Sequence, residues 1–459
     1  MTYTAMAEGS APGVGRGATT SVDIADSVAD GVSLNIVGAR LRDRDGLWDV
    51  AVDRGVVRTI TAHNRPLESR VGRGTVGQTA METFAQFDVH GKLLLPGFVD
   101  AHIHVDKAFQ IDALESRGAS DGNIDTALVA TAALKQAVPL EVVESNAMRV
   151  LDMLARGGTV AARAHVEIDA TTDRASIAMH LEIARRRPDV MLELTAFAQY
   201  GTTQDPRIMR NMVRAMESGC TVVAGCPYAD EDPMRHLDDV IGLARDADAP
   251  LDLHLDLSDD LDDLLLGDVL TRIERAGLGG RVVLGHLTAL TAAPPARVRE
   301  LAAMAAGVGV AVVAIPTTDL YLSGRGQQSA PTRGVTRIKE LIAAGVPVAL
   351  ASNNYENAFT PVSMPSLTYA AWLASLTNHM GATGEQLSLL DGITDIPRAL
   401  FGADVPGLTV GGRIGAVVVD AASPVDVVRS ASRPVAVVTA ARGAVVHQPL
   451  TGATEEWPT

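Results

Sequence analysis

Aromatic side chains are scarce in this sequence: three Trp, six Tyr and seven Phe make up 3% of 459 residues. A large interior must therefore be built from aliphatic residues, and Ala, Val, Leu and Gly are abundant. Cysteine is nearly absent as well. Cys220 and Cys226 both lie in apolar stretches, which excludes a disulfide framework and fits a reducing cytoplasm. There is no basic excess, because 39 Lys and Arg stand against 55 Asp and Glu, a net charge of −16. That balance argues against nucleic acid and anionic membranes as partners, and it leaves the sign of a small substrate open. No hydrophobic run is long enough to span a bilayer comfortably; the longest uncharged apolar stretch is Leu301–Pro316. The first residues, MTYTAMAEGSAPGVGRGATT, lack a basic start followed by an apolar core, so no secretory signal is expected. Small and polar residues dominate there, and residues 1–30 are read as a disordered tail.

What is present is a soluble globular composition, 47% hydrophobic and 20% charged, long enough for one large domain with a small companion. Residues 31–95 and 406–450 alternate apolar and polar residues between glycines, the pattern of short strands. They are expected to form one small β-sandwich domain from both ends of the chain. Between them, residues 96–405 repeat one theme: an apolar strand ends in polar residues and an amphipathic helix follows. Eight such strands are expected, at Gly97–His104, Thr159–Glu167, Met191–Ala198, Cys220–Cys226, Leu251–Leu257, Arg281–Leu287, Val308–Ile315 and Pro347–Asn353. Helical patterns separate them, among them Leu140–Arg156, Ala175–Arg187, Pro206–Ser218 and Ala296–Ala306. The fold class is α/β, and the number of units predicts a (β/α)8 TIM barrel rather than an open doubly wound sheet. The segment GRGTVG at Gly72–Gly77 fits GxGxxG but has neither a strand before it nor a helix after it, so it is read as a loop.

The chemistry is expected at the C-terminal ends of the strands. His102 and His104, in LLLPGFVDAHIHVDKAF, are two apart at the end of the first barrel strand, which puts both imidazoles on one face. His254 ends the fifth strand in PLDLHLDL, and His286 ends the sixth in RVVLGHL. Several imidazoles at matching strand ends suit a divalent metal. The eighth strand ends in Asn353 and Asn354, where an acid would be wanted to handle the proton of a water. His165, ending the second strand, fits either a core position or a supporting one. The remaining histidines are read as surface or structural.

The motifs PGFVDAHIHVDK, AHVEID, TAFAQYG, DLHLDL, LGHLTAL, IPTTDLYLSGR and GVPVALASNN together resemble the amidohydrolase superfamily. Within it they point to the branch that holds cytosine deaminase and N-isopropylammelide amidohydrolase, and molinate hydrolase is a further possible relative. The resemblance implies that His102, His104 and His254 ligate one metal, with Asn353 completing the set. It implies that His286 polarises the substrate or holds the attacking hydroxide, and that Gln199 recognises substrate. Two positions depart from the branch: Leu257 stands where it usually has a proton-shuttling Glu, and Asn353 where it has Asp.

Those departures turn the expectation from cytosine deamination toward cleavage, by metal-activated water, of an amide, carbamate or thiocarbamate C–N bond in a small neutral or heterocyclic molecule, with the leaving nitrogen protonated from Asp256, Asp259 or water. Deamination of a pyrimidine or s-triazine and a non-catalytic binding barrel are the two alternatives. Lys107, Asn354 and Tyr355 are expected to contact substrate, and Asp319, Tyr321, Arg325 and Phe359 to shape the pocket. One divalent ion per chain is expected (zinc, iron, cobalt or manganese), together with a small-molecule substrate, self-association and a cytoplasmic location.

Overall fold

The computed structural model describes residues 33–64, 85–116, 123–135, 137–329, 331–363 and 366–446. The expected tail at 1–30 and the GRGTVG segment lie outside them. The chain opens with β1 (Leu34–Leu41), β2 (Arg44–Asp53), β3 (Val56–Ala62), β4 (Ala85–Asp88) and β5 (Leu93–Pro96). Eight strands then alternate with helices: β6 (Phe98–Ile103), β7 (Thr159–Glu167), β8 (Met191–Ala198), β9 (Val222–Gly225), β10 (Leu251–Leu255), β11 (Val282–His286), β12 (Ala311–Ala314) and β13 (Val348–Leu350). The described part ends with β14 (Gly415–Val419), β15 (Pro434–Thr439) and β16 (Gly443–Val446).

Strands β6 to β13 pair in sequence order, every pair parallel. Each observed strand falls within one of the eight expected segments. The ring closes through a parallel bridge between Ile103 and Asn353. There the Asn353 amide donates to the His102 carbonyl (3.0 Å) and the His104 amide donates to the Asn353 carbonyl (2.8 Å). Asp100 reinforces the same seam by accepting the Ser352 hydroxyl at 2.5 Å. The result is a (β/α)8 barrel.

The outer layer follows from helix periodicity. The helix Pro206–Ser218 starts at Asp205, whose carboxylate accepts from the Arg207 amide, and carries Pro206 in its first turn. Ile208, Asn211, Met212 and Ala215, spaced three or four apart, turn inward, and Gly219 at φ 131° stops the helix. Burying side chains such as Ile208 and Met212 contributes about 1.5–3 kcal/mol each.

Along β7 and β10, alternate residues take opposite faces. Ala162, Ala164, Val166, Leu251, Leu253 and Leu255 join the aliphatic core beneath the helices. Arg163, His165, Asp252 and His254 point the other way, into the barrel. Arg163 is fully buried and donates to Glu193 (2.7 Å), Asp252 (2.9 Å) and the Leu400 carbonyl (2.6 Å). This paired polar layer is a floor under the histidines.

The terminal strands form one eight-stranded sheet in the order β16-β15-β14-β5-β1-β2-β3, with β4 also on β1. Its two parts enclose a separate core containing Leu34, Ile36, Val50, Val52, Leu94, Val418 and Val438. The alternate residues Leu93, Leu95, Val417 and Val419 instead join the barrel's core. Gly158 sits at this junction with φ 90°, where a Cβ would come within 2.7 Å of Val417 and 2.8 Å of Pro434. Among the described residues no helix is long and apolar enough to cross a membrane.

Candidate metal centre and active-site cavity

Three imidazoles meet at the C-terminal mouth of the barrel. His102 Nε2 lies 2.9 Å from His254 Nε2, and His104 Nε2 lies 3.1 Å from the same atom. All three rings are buried. Burial, followed by the neighbouring rings (and at His104 first by the Lys107 ammonium), holds all three well below the usual imidazole range. Unprotonated rings facing one another through Nε2 present lone pairs to lone pairs, and a cation between them relieves that repulsion. Tetrahedral coordination at 2.0–2.1 Å would space such nitrogens by roughly 3.3 Å, close to what is seen. The donor set therefore fits a divalent metal.

A second layer lies against this trio. The His165 and His102 ring centroids are 4.1 Å apart, and His165 Nε2 is 3.3 Å from Asp252 Oδ1. By separation alone, His102, His165, Asp252 and His254 also form a cluster able to hold an ion. The cavity side favours His104 over this pair, because His104 and His254 line the cavity while Asp252 is already paired with Arg163.

A small cavity lies above the trio. Lys107, Phe197, Gln199, Leu257, His286, Asn353, Asn354 and Phe359 are among its lining residues. His286 Nδ1 is 2.8 Å from Asp319 Oδ1, so the carboxylate accepts the Nδ1 proton and leaves Nε2 as the reactive nitrogen. Burial pushes the Asp319 carboxyl above the usual carboxylate range, against the pull of the imidazole. Asn353 donates through Nδ2 to Thr318 Oγ1 at 3.0 Å, and its Oδ1 is buried with no partner among the described residues.

The amidohydrolase family matches residues 194–396, which run from β8 through His254, His286, Asp319 and Asn353. That segment, residues 194–396, is an amidohydrolase family domain. It is 27% identical to a pterin deaminase of Rhizobium rhizogenes over 61% of this chain and 64% of that protein, slightly less than two thirds of the relative's length. It is 24% identical to the N-isopropylammelide isopropyl amidohydrolase of a Pseudomonas species, over 85% of this chain and 92% of that one. Among solved structures, a 5-methylcytosine deaminase from Klebsiella pneumoniae bound to phosphonocytosine superimposes with a TM-score of 0.82 at 24% identity. That match covers 93% of this chain and all of the other. The N-isopropylammelide isopropylaminohydrolase of Burkholderia multivorans gives 0.72 at 22% identity, over 90% and 98% of the two chains. These structural likenesses concern the fold.

Within the barrel, most of the residues singled out from sequence converge. His104, His254, His286, Lys107, Gln199, Asn353 and Asn354 line one cavity, and His102 lies directly behind it. Asp256 and Tyr355 do not join them, and Asp259, Tyr321 and Arg325 are not among the cavity's lining residues either. Asp256 adopts φ 53°, which breaks the alternation that would have put it beside His254. Its carboxylate instead accepts the Leu265 and Leu266 amides (2.9 and 3.1 Å) at the start of the next helix. Tyr355 is fully buried, and its hydroxyl meets Ser352 Oγ at 2.8 Å in the seam with Asp100. Neither faces the cavity. Sequence reasoning gave Asp319 a pocket-shaping place only. Its position three residues past Pro316, in the first turn of the helix after β12, was the signal that it could reach the end of β11.

Proposed function

We propose that the amidohydrolase domain, within residues 96–405, is a metal-dependent hydrolase that breaks a C–N bond of a small heterocycle bearing an amino or alkylamino group. The observation that carries this reading is the meeting of three Nε2 atoms at the base of one cavity that His286, bonded to Asp319, also lines. The similarity to a pterin deaminase and to an N-isopropylammelide isopropyl amidohydrolase favours a heterocycle over a thiocarbamate.

His102, His104 and His254 would hold the ion, with Asn353 Oδ1 available to it or to a water. A divalent metal there supplies Lewis acidity and an acidified water. His286 takes the proton released from the attacking water and returns it to the departing nitrogen, while Asp319 fixes its tautomer and stabilises the imidazolium. This pair does the work of the acid missing at Leu257. Gln199, Lys107 and Asn354 orient the substrate, and Leu257, Phe197 and Phe359 keep bulk water out. The small β-domain, residues 31–95 with 406–450, braces the barrel. Self-association, a cytoplasmic location and the absence of nucleic acid as a partner belong to the same reading.

The test is elemental analysis followed by a substrate screen. About one equivalent of metal per chain, with ammonia or amine released from aminopterins, aminopyrimidines or alkylamino-s-triazines, supports the proposal. Release from amides or carbamates alone would keep the hydrolase and change its substrate. No metal after supplementation with zinc, iron, cobalt and manganese would leave a barrel that binds without catalysing.

A further inference from the structure

We propose that a second cavity, on the outer side of Lys107, is a binding site for a primary alkylammonium ion. Its N–H groups meet Asp106, Glu167 and His180, and its alkyl chain lies on Val138, Leu140 and Val143. This goes beyond the function proposed above and does not depend on it. The cavity, of about 390 Å³, lies between the end of β7, the helix Ile124–Lys135 and the start of the helix Arg174–Arg186. Among the described residues Lys107 alone lines both this cavity and the active-site cavity. Thr171 and Asp173 at its rim are exposed, so a ligand can enter from solvent. Its inner end is closed: Thr131, Glu167 and His180 are only 3%, 4% and 3% exposed.

That inner end holds acceptors with nothing to accept. Asp106 Oδ1, Thr131 Oγ1, Glu167 Oε1 and His180 Nε2 are buried atoms with no hydrogen-bond partner among the described residues, and all four residues line this cavity. Buried polar atoms are seldom left unpaired, and such a concentration marks a ligand's place. His180 Nδ1 lies 2.8 Å from the Ser176 carbonyl, which can only accept, so the ring proton sits there and Nε2 presents its lone pair. Burial keeps this ring below the usual imidazole range and therefore neutral. Asp106 Oδ2 already accepts the Glu167 amide at 2.9 Å, which leaves Oδ1 over.

The two lysines do not meet the need. Lys135 spends its three protons on the Glu167 carbonyl (3.1 Å), Asp169 (2.7 Å) and Thr172 (3.2 Å). Glu167 Oε1, although 3.1 Å from the same nitrogen, receives none of them. Lys107 donates to Glu167 Oε2 and Gln199 Oε1 and keeps at most one proton. Acceptors without donors call for a ligand that only donates, as a primary ammonium does. The lining carboxylates, Asp106, Glu167 and Asp173, outnumber Lys107 and Lys135, which favours a cation. A bare metal ion fits less well. Among the described residues, the acids and imidazoles close enough to share one ion are His102, His165, Asp252 and His254, away from this cavity.

Calorimetry on the full chain at constant ionic strength would compare propylammonium with ammonium, tetramethylammonium and propanol. Propylammonium is expected to bind at least roughly tenfold more tightly than each of the others. Ammonium lacks the chain, tetramethylammonium the N–H groups and propanol the charge. Glu167→Gln must keep its oxygen on Lys107, so it turns an N–H toward the cavity and should lose at least roughly tenfold for propylammonium. His180→Phe keeps a flat ring, removes Nε2 and should lose a similar factor; it carries the test if the first variant does not fold. His286→Ala, in the active-site cavity, should bind propylammonium as the wild type does. Melting temperatures on the same samples identify the folded variants. No preference for propylammonium, an unchanged affinity in the folded Glu167 or His180 variant, or a loss in folded His286→Ala would overturn the inference. None of these readings involves turnover, so a failed substrate screen would sink the proposed function alone, and a failed titration this inference alone.

Discussion

At the scale of single residues, the site is built where strands stop being regular. His286 and Leu287 take φ 72° and 56°, Asp256 takes 53° and Asn353 takes 66°, all in the left-handed region that side chains seldom adopt. Such conformations cost about 1–3 kcal/mol each and persist only where the surroundings hold them. Here they are held: Asp256 by two helix amides, His286 by Asp319, and Asn353 by backbone bonds to both sides of the His102–His104 motif. The His286–Asp319 pair yields a sharp expectation. Asp319→Asn preserves shape but replaces the acceptor of the Nδ1 proton with an amide, which permits the other tautomer. The variant should keep its metal and its melting temperature while kcat falls by roughly 10²–10⁴-fold. Steady-state kinetics with metal analysis would decide, and loss of the metal would instead make Asp319 part of the ligand set.

At the scale of elements, the loops after the barrel strands are tied to one another. Asp230, just past β9, accepts the Thr202 amide (2.6 Å) from the loop after β8, the Thr203 hydroxyl, and the His236 imidazole (3.1 Å). His236 Nε2 in turn accepts the Cys226 amide at 3.0 Å. One carboxylate thus positions the loops that carry Gln199 and Cys226. Burial raises its pKa, but the His236, Thr203 and backbone bonds outweigh it and hold the carboxyl well below the usual range. A depressed folded pKa stabilises the fold above the ordinary value of 3.8, and that contribution is lost as pH falls through the folded value. Asp230→Ala should cost about 1–3 kcal/mol at neutral pH and raise KM more than it lowers kcat, and its stability deficit should begin to shrink only below about pH 4. Urea unfolding at several pH values would check the window, and a constant difference down to pH 2 would refute the assignment.

The same elements explain what was legible beforehand. Parallel strands covered on both faces read as near-continuous apolar runs, so all eight barrel segments could be found, and so could the histidines that end them. Asp256 was misplaced because period-two alternation fails at a left-handed residue, and Tyr355 because the segment after β13 folds its hydroxyl back onto Ser352 instead of toward the cavity. The Arg163–Glu193–Asp252 floor was invisible for another reason. Its three members come from β7, β8 and β10, and nothing local marks a charge that is satisfied only by distant strands.

At the scale of the whole molecule, the ion proposed here would connect the two ends of the barrel's chain path. His102 and His104 belong to the first barrel strand, and Asn353, bonded to both through the backbone, follows the last. His254 enters from the fifth. An ion held by this set stabilises only the closed barrel, because the unfolded chain does not bring the ligands together. Binding that excludes the unfolded state contributes about 2.7 kcal/mol when free metal is one hundred times its Kd. Stripping the metal with a chelator should therefore abolish activity and lower Tm by a few degrees, since roughly 2–4 °C follows each kcal/mol in domains of 150–250 residues and less in a longer chain. Adding back zinc, iron, cobalt or manganese should restore both together. His254→Ala should melt where the stripped wild type does and show no response to added metal, which separates loss of the ion from damage to the fold. If metal leaves the wild type with no change in Tm, the ion was not bound preferentially by the folded barrel, and the three converging imidazoles would need a different explanation.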